Sequence, residues 1–427
     1  MARAILDSRR RRLEAQVPPI PQKELAPVLT NPSRTTHGTH KNHKMSDVTI
    51  TPVMSARQRK QFLQLPWTLY HDDPNWIPPL RRNLEELVGY KPHPFYERNE
   101  GQTFLALRNG TPCGRVAAIV NQAHIERYDE RRGFLGFFES IEDQEVASAL
   151  FDAVRLWFAK RDIVDFRGPI NPSLNYEIGL LIDGFDTPPY FMMTYNPAYY
   201  AGLFEQYGFR KAQDLYAFLG QVDMLKTLDS KISFVSQEAK RRFDVTLRGL
   251  DRSRFDEDVR LFLEIYNQSL GGTWGYTPLS EGEIAHMSHS LKHLIVPELT
   301  SIAEVEGRPV ACAFALLDYN PRIKAIDGRL FPLGFLRLLW NRKAIKRIRI
   351  IAANVLPEYQ KWGLGLAVLS RLVPEVLHWG IREVEFSWVL ESNQLSYGTL
   401  KKGGVKLNKT YRIYDYGPNE DQTLTRK

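Results

Sequence analysis

This chain has little cysteine and no long apolar run, and for a protein of net charge +8 it carries little excess charge in its body. Only two cysteines occur in 427 residues, Cys113 and Cys312, far apart and in plain surroundings, which excludes a disulfide framework and a thiolate metal site. The histidines show no ligand spacing: His37, His40 and His43 share one polar stretch, and His286 and His289 read as a helix surface. No metal is expected. No segment is long and apolar enough for a membrane span, and the N-terminus lacks the apolar core of a signal peptide. A cytoplasmic protein in a reducing compartment is the expectation.

The positive charge is concentrated at one end. Residues 1–44 hold nine Lys/Arg, Arg9 to Arg12 in one block, against Asp7, Glu14 and Glu24, so this arm carries +6 of the +8. It also holds five prolines and the polar run "NPSRTTHGTHKNHK". Such a composition reads as a disordered, solvated arm, and nucleic acid is not the expected partner. Met45, followed by "SDVTITPV", is a candidate start.

From there the chain states one pattern twice. "ALRNGTPCGRVAAIV" (106–120) and "AEVEGRPVACAFAL" (303–316) are β-rich runs joined across a Gly-x-Pro turn, a hairpin signal. "VDFRGPINPS" (164–173) and "VEFSWVLESN" (384–393) each follow a long amphipathic helix and read as buried strands. Alternation of this kind predicts a mixed α/β fold. The expected organisation is a basic arm over 1–44, a first domain over 45–222, a linker over 223–243, a second domain over 244–417 and a tail over 418–427. The second half has extra residues between its hairpin and its later strand, placed in "NPRIKAIDGRLFPLGFLRLLWNRKAIKRIRI".

The stretch "NVLPEYQKWGLGLAVL" (354–369) takes a strand through a turn into a helix with almost no side-chain chemistry. A helix that opens this way leaves its first N–H groups unpaired, and with the helix dipole they form an anion site that glycines let a pyrophosphate approach. The glycines by themselves also fit a plain tight connection. The equivalent first-half stretch, "GFFESIEDQEVASALFDAVRLWF", has Glu139, Glu142, Asp143 and Glu145 and no glycine in the turn. Acidic residues suit a helix N-terminus but repel phosphate.

Gln-x-x-Gly-x-Gly after a strand ending Val-x-Pro-Glu resembles motif A of the GCN5-related N-acetyltransferases, the GNAT superfamily, and the order of elements over 244–417 resembles that fold. The Rossmann and P-loop spacings are both absent. The resemblance implies two tandem GNAT-like domains, each a mixed, centrally splayed sheet flanked by helices. It also implies coenzyme A or acyl-CoA as co-substrate. The pyrophosphate would lie on the backbone of Trp362, Gly363, Leu364 and Gly365, in the turn opened by Gln360 and Lys361. The pantetheine arm would run along Asn354, Val355 and Leu356, with Asn393 in the family's helix motif. The first half keeps a family-like tail, "YNPAYYAGLFEQYGFRKAQDLYAF" (195–218), and reads as a degenerate repeat that supports the substrate pocket.

Direct acyl transfer to an amine needs a proton acceptor for the amine and a proton for the departing thiolate. Where the family places a tyrosine acid this chain has Leu400, so Tyr397, one helical turn earlier, is the candidate. Glu391, ending "VEFSWVLE", is the candidate base, on the expectation of apolar neighbours that raise its pKa; a capping or salt-bridging role is the plainer alternative. In "NPSLNYEIGLLIDGF", Asn171, Asn175 and Glu177 are candidates for substrate contact, against a purely structural loop.

The segment 328–350 sets apolar residues beside Arg329, Arg337, Arg342, Lys343, Lys346, Arg347 and Arg349 with no acid. Such a pattern fits a membrane-surface element, peripheral on an inner membrane, or a surface excursion whose apolar side packs inward. "HDDPNWIPPL…HPFYE", "GLLIDGFD" and "SWVLESN…YRIYDYG" resemble the two-domain YghO-like proteins, a group related to bacterial ceramide synthases. The expected function is acyl-CoA-dependent N-acyl transfer to an amine, a sphingoid-type lipid amine being the candidate. The alternatives are a Fem-like aminoacyl-tRNA-dependent transferase and a non-catalytic acyl-CoA sensor.

Overall fold

The computed structural model describes residues 48–223, 234, 237–239 and 241–418. The basic arm, most of the expected linker and nearly all of the tail lie outside these residues. The first half runs β1 (Val48–Pro52), α1 (Ala56–Leu69), α2 (Arg81–Leu87), β2 (Glu100–Arg108), β3 (Thr111–Val120), α3 (Gln122–Tyr128), β4 (Arg132–Ser140), α4 (Gln144–Ala159) and β5 (Asp165–Gly168). Three short strands follow, β6 (Ile170–Asn171), β7 (Glu177–Ile178) and β8 (Leu180–Asp183), then α5 (Tyr200–Tyr207) and β9 (Arg210–Gln221). The second half repeats the order with β10 (Val245–Arg248), α6 (Phe255–Ser269), α7 (Glu281–Leu291), β11 (Thr300–Val305) and β12 (Arg308–Leu317). After α8 (Asn320–Ala325) and α9 (Gly334–Leu339) come β13 (Arg347–Val355), α10 (Leu364–His378), β14 (Glu383–Leu390), α11 (Gln394–Lys402) and β15 (Lys406–Tyr416).

Local chemistry explains the repeat. Both hairpins turn on a pair of left-handed residues, Asn109–Gly110 and Glu306–Gly307, the geometry that keeps a two-residue turn in step with strand twist. Ser55 with Gln58 and Ser280 with Glu283 form capping boxes that start α1 and α7. Asp143 caps α4 by accepting from the N–H of Glu145, so that acid does suit its helix end. Glu139 does not sit there: it is a core residue bonded to the hydroxyls of Tyr70 and Tyr200.

All the main strands join one sheet in the order β1-β2-β3-β4-β5-β15-β9-β14-β13-β12-β11-β10, with β8 also against β15. Its two parallel ladders are β4–β5 and β13–β14. The two halves do not each close on their own last strand. β15, the last strand of the second half, lies beside β5, and β9, the last of the first half, lies beside β14. The two strands also pair with each other over most of their length. Register of this kind is set by side chains remote in sequence, and no local pattern announces it.

One face of the sheet centre is covered by the first-half segment that follows β5. Ile178, Leu181, Tyr190 and Met193 pack there with Leu215, Ala217, Tyr411 and Ile413 in a shared core. The segment continues across the second half, where Phe191 N–H donates to Asp318 and the Asn320 side chain donates to the Pro189 carbonyl.

Candidate active site

β13 and β14 pair only from Arg347↔Glu383 to Ile350↔Phe386 and then separate. Bulges on either side accentuate the splay: β13 has an extra residue at Ile351 against β12, and β14 has one between Phe386 and Val389 against β9. A wedge-shaped gap therefore opens between Ile351–Val355 and the end of β14.

At its outer end β13 turns into α10. Lys361 and Gly363 both take left-handed conformations, at φ +70° and +82°, the second of which glycine adopts without a Cβ penalty. Gly363 is the N-cap, and no side chain caps the helix. Among the described residues, no acceptor is recorded for the N–H groups of Lys361 to Gly365. A Cβ added at Gly365 would meet only Val355 Cγ2, at 3.7 Å, so open space faces the first turn. The Gln360 amide ties the turn down by donating to the carbonyls of Val355 (3.1 Å) and Ser269 (3.5 Å). Asn354 donates to Ser269 Oγ at 2.5 Å, fixing the strand to the end of α6. Exposed Trp362 lies under the Arg242 guanidinium, 3.6 Å from its ring centre, and both add to a positive, flat-walled rim. Leu356 is buried beneath the turn.

Alternation along β12 shows what faces the gap. Phe314 packs on Phe262 of α6, so Cys312, Phe314 and Leu316 share that face, and so do their partners Asn354, Ala352 and Arg349. Glu385 stands opposite Arg349, and Ser387 follows on the same face. Arg349 is buried, donating to Ser387 Oγ (2.8 Å) and to the carbonyls of Ser387 (3.2 Å), Phe191 (3.1 Å) and Met192 (3.1 Å). Glu385 accepts from Ser387 Oγ at 2.7 Å. Burial pushes the Glu385 carboxyl up to about 7 against the pull of Arg349, and burial brings Arg349 down to about 10. Lys409 pins the covering loop by donating to the Thr187 carbonyl (2.7 Å) and hydroxyl (2.9 Å).

The residues singled out from sequence fall into three groups. Gln360 to Gly365 and Asn354 to Leu356 come together as one turn at the gap. Asn393 accepts from Ser396 N–H as the cap of α11, and Tyr397 on that helix packs against Tyr216 and Phe218. Those two rings lie on the face of β9 opposite Ala217 and Leu215, so Tyr397 and Glu385 flank the sheet from opposite sides. The apolar setting expected for Glu391 is not what the structure contains: its carboxylate is part-exposed and ion-paired with Lys211 at 2.8 Å. Asn171 and Asn175 also differ from the expectation of open substrate contacts. Asn171 Oδ1 accepts from Phe137 N–H at 2.6 Å, and Asn175 donates to the Thr277 carbonyl at 2.9 Å. Glu177, paired with Asn171 across β6–β7, remains part-accessible, near enough to Arg349 to feel its charge.

Sequence reasoning missed Arg349, Glu385, Ser387 and Tyr411 as site residues. The signals were present: Arg-Ile-Arg-Ile in β13 and Glu-Phe-Ser in β14 both put polar groups at strand period in buried runs. Of the cations counted as one basic strip over 328–350, three turn inward. Besides Arg349, Arg347 reaches Asp318 and Glu383 (3.4 Å each), and Lys346 donates to the Trp379 carbonyl at 3.1 Å. Five apolar side chains of that segment do the opposite: Phe331, Leu333, Phe335, Leu336 and Trp340 are exposed, Trp340 to 78%, while Leu338, Ile345, Ile348 and Ile350 are buried. Among the described residues no group of His, Cys, Asp and Glu is arranged to hold a metal ion, and no helix is long and apolar enough to cross a membrane.

Comparison with known proteins places this geometry. No family model matches the chain. Protein YghO of Escherichia coli is 35% identical over 373 residues, covering 86% of this chain and 94% of that protein. The bacterial ceramide synthase of Caulobacter vibrioides is 33% identical over 380 residues, covering 87% and 97%. Among solved structures, a tandem GNAT protein from the clavulanic acid biosynthesis pathway superimposes with a TM-score of 0.50 at 12% identity, over 87% of this chain and all of that one. A GCN5-related glucosamine N-acetyltransferase region of a fungal multi-domain β-N-acetylglucosaminidase gives 0.51 at 14%, over 86% of this chain and 38% of that protein. These two likenesses show the fold: two GNAT-like domains in tandem.

Proposed function

The chain belongs to the family that holds YghO and the bacterial ceramide synthase, and from that membership we propose that it is an acyl-CoA-dependent N-acyltransferase with domains over 45–222 and 244–417. The observation that carries the reading is the uncapped, left-handed turn at Gly363, opening onto the gap between β13 and β14. The donor set suits a pyrophosphate: successive backbone N–H groups at a helix start, with Lys361 and Arg242 beside them and no acid in the turn. In this reading Trp362, Gly363, Leu364 and Gly365 hold the phosphates. Asn354, Val355 and Leu356 line the pantetheine arm, and Asn393 stands at the far side of the gap.

A bound acyl-CoA supplies an activated thioester carbonyl. The amine nitrogen forms the new C–N bond, the C–S bond breaks with its electron pair on sulfur, and the thiolate takes up a proton, for which Tyr397 is the candidate donor. The acceptor we infer is a long-chain amine taken from a membrane surface. The name of the Caulobacter relative supports a lipid amine, and the exposed apolar patch beside Arg329, Arg337, Arg342 and Lys343 supports an anionic bilayer as docking partner.

The test is thiol release from acetyl-, octanoyl- and palmitoyl-CoA, with and without a long-chain amine. Amine-dependent release from the long donors is expected. Release from acetyl-CoA alone would move the reading to small-molecule acetylation, and the absence of both release and CoA binding would sink it.

A further inference from the structure

We propose that Glu177, carried by the first half, is the group that receives the proton of the acceptor amine, with Arg349 of the second half as its positioning residue. The inference rests on the transferase reading above and adds the identity of the base.

The turn that carries Glu177 is fixed on both sides. Asn175 donates to the Thr277 carbonyl, the Tyr176 hydroxyl donates to Glu283 at 2.9 Å, and Gly179 N–H donates to the Pro169 carbonyl at 3.0 Å. Asn171, directly opposite on the ladder, is spent on Phe137. What the turn leaves open is the Glu177 carboxylate, for which no hydrogen-bond partner is recorded among the described residues. On the opposite face of the sheet the carboxylates are compensated: Glu391 by Lys211, and Asp214 by Lys211 and Arg412.

Arg349 acts on Glu177 through charge and not through a hydrogen bond, since its donors are directed to Ser387, Phe191 and Met192. Three buried polar atoms around it lack partners among the described residues: Glu385 Oε2, Tyr411 Oη and Trp388 Nε1, the last on a ring 4.9 Å from the guanidinium. Glu177 and Glu385 both lie in the field of Arg349, and Glu385 also in that of Lys409; among the described residues only Glu385 of the two accepts a hydrogen bond, from Ser387, so Glu177 is the carboxylate left to meet an ammonium group. The groups that face it are Arg349 on β13, Glu385 on β14, and Tyr411 and Lys409 on β15. Burial pushes the Glu177 carboxyl up to about 7, opposed by Arg349, so it can accept a proton near neutral pH.

The protons balance. The ammonium gives one to Glu177 and thereby gains its lone pair. The nitrogen attacks the carbonyl carbon, the C–S bond breaks with its electron pair on sulfur, and the second proton of the nitrogen makes good the one that the thiolate takes from Tyr397. Glu177 then returns its proton to solvent. The chemistry belongs to a primary amine approaching from the covered face, opposite the Tyr397 side.

The experiment compares wild type, Glu177→Gln and Glu391→Gln by amine-dependent thiol release from palmitoyl-CoA between pH 5.5 and 9, with CoA affinity as the folding control. In wild type kcat/KM for the amine should rise with pH through an acid limb. Glu177→Gln should lower kcat about 100-fold and remove the limb while CoA affinity stays unchanged. Arg349→Met should move the limb to higher pH, because the charge that holds Glu177 down is gone. Undiminished activity with the limb intact in Glu177→Gln, or loss of the limb in Glu391→Gln instead, would overturn the proposal. A wild type that binds CoA yet shows no amine-dependent release overturns the transferase reading, and this inference falls with it.

Discussion

Arg349 and Glu385 face each other one rung before the β13–β14 ladder ends, yet Ser387 is the hydrogen-bond partner of both. The pair is therefore held together by charge across a shared hydroxyl, in a setting with almost no water. Removing the guanidinium strands two carboxylates. Arg349→Met should cost on the order of 3–5 kcal/mol of unfolding free energy, measured in denaturant. Adding Glu385→Gln should recover part of that loss. A double variant no more stable than the single one would mean that Glu385 is not among the groups stranded.

The turn into α10 separates backbone strain from charge. Gly363→Ala places a Cβ at φ +82° and should cost about 1 kcal/mol in stability. Gly365→Glu meets no such penalty, and an acid in the first helical turn favours the helix. It should leave the melting temperature unchanged while weakening CoA at least tenfold by calorimetry. CoA affinity equal to wild type in Gly365→Glu would place the phosphates elsewhere.

The exposed apolar patch makes a prediction about surfaces. Phe331→Ser with Trp340→Ser should abolish co-sedimentation with vesicles of phosphatidylglycerol and phosphatidylcholine, since each buried ring contributes about 2 kcal/mol. Salt should weaken wild-type binding, as expected for cations worth about 1 kcal/mol each near an anionic surface. Thiol release with a soluble short-chain amine should not change. Equal sedimentation of variant and wild type would remove the patch from any membrane role.

His93 supplies a pH dependence of stability. Burial first, and then the charge of His286, bring its imidazole down from 6.5 to about 4. The unfolded chain thus takes up a proton that the folded chain refuses. His93 costs nothing above pH 7, and stability is lost as pH falls from 6.5 towards 4. The penalty at pH 4 is on the order of 2–3 kcal/mol. Glu177, Glu385 and Asp318, all raised by burial, act with the opposite sign over the same range, so the comparison must be between wild type and His93→Asn. Asparagine can keep the bond accepted from Phe95 N–H. The variant should lose less stability between pH 7 and 4.5 than wild type. Parallel profiles would show that His93 protonates without unfolding.

What was legible in the sequence was what is encoded locally. Asn109–Gly110 and Glu306–Gly307 mark their own hairpins, Asp143 marks a helix start, and Gln360 to Gly365 mark a left-handed turn into a helix that no side chain caps. What was illegible depends on partners far along the chain. Arg349 stands in a run of cations that reads as surface, and only the covering loop at Phe191 and Met192, more than 150 residues earlier, makes it a core residue. Glu391 ends an apolar strand, and its partner Lys211 comes from a strand of the other half. Asn171 and Asn175 resemble open loop polar groups until the backbone atoms they satisfy, at Phe137 and Thr277, are brought up against them.

The exchange of β9 and β15 has a consequence for the order in which the molecule can be completed. During synthesis the first half emerges with β5 exposed along one edge, and the strand that covers it, β15, is made more than 200 residues later. An unpaired edge waiting for a distant strand is slow to close and open to wrong partners. Loss of residues 406–416 would therefore strip the first half as much as the second. One half lends the other its closing strand, and the two mature as one.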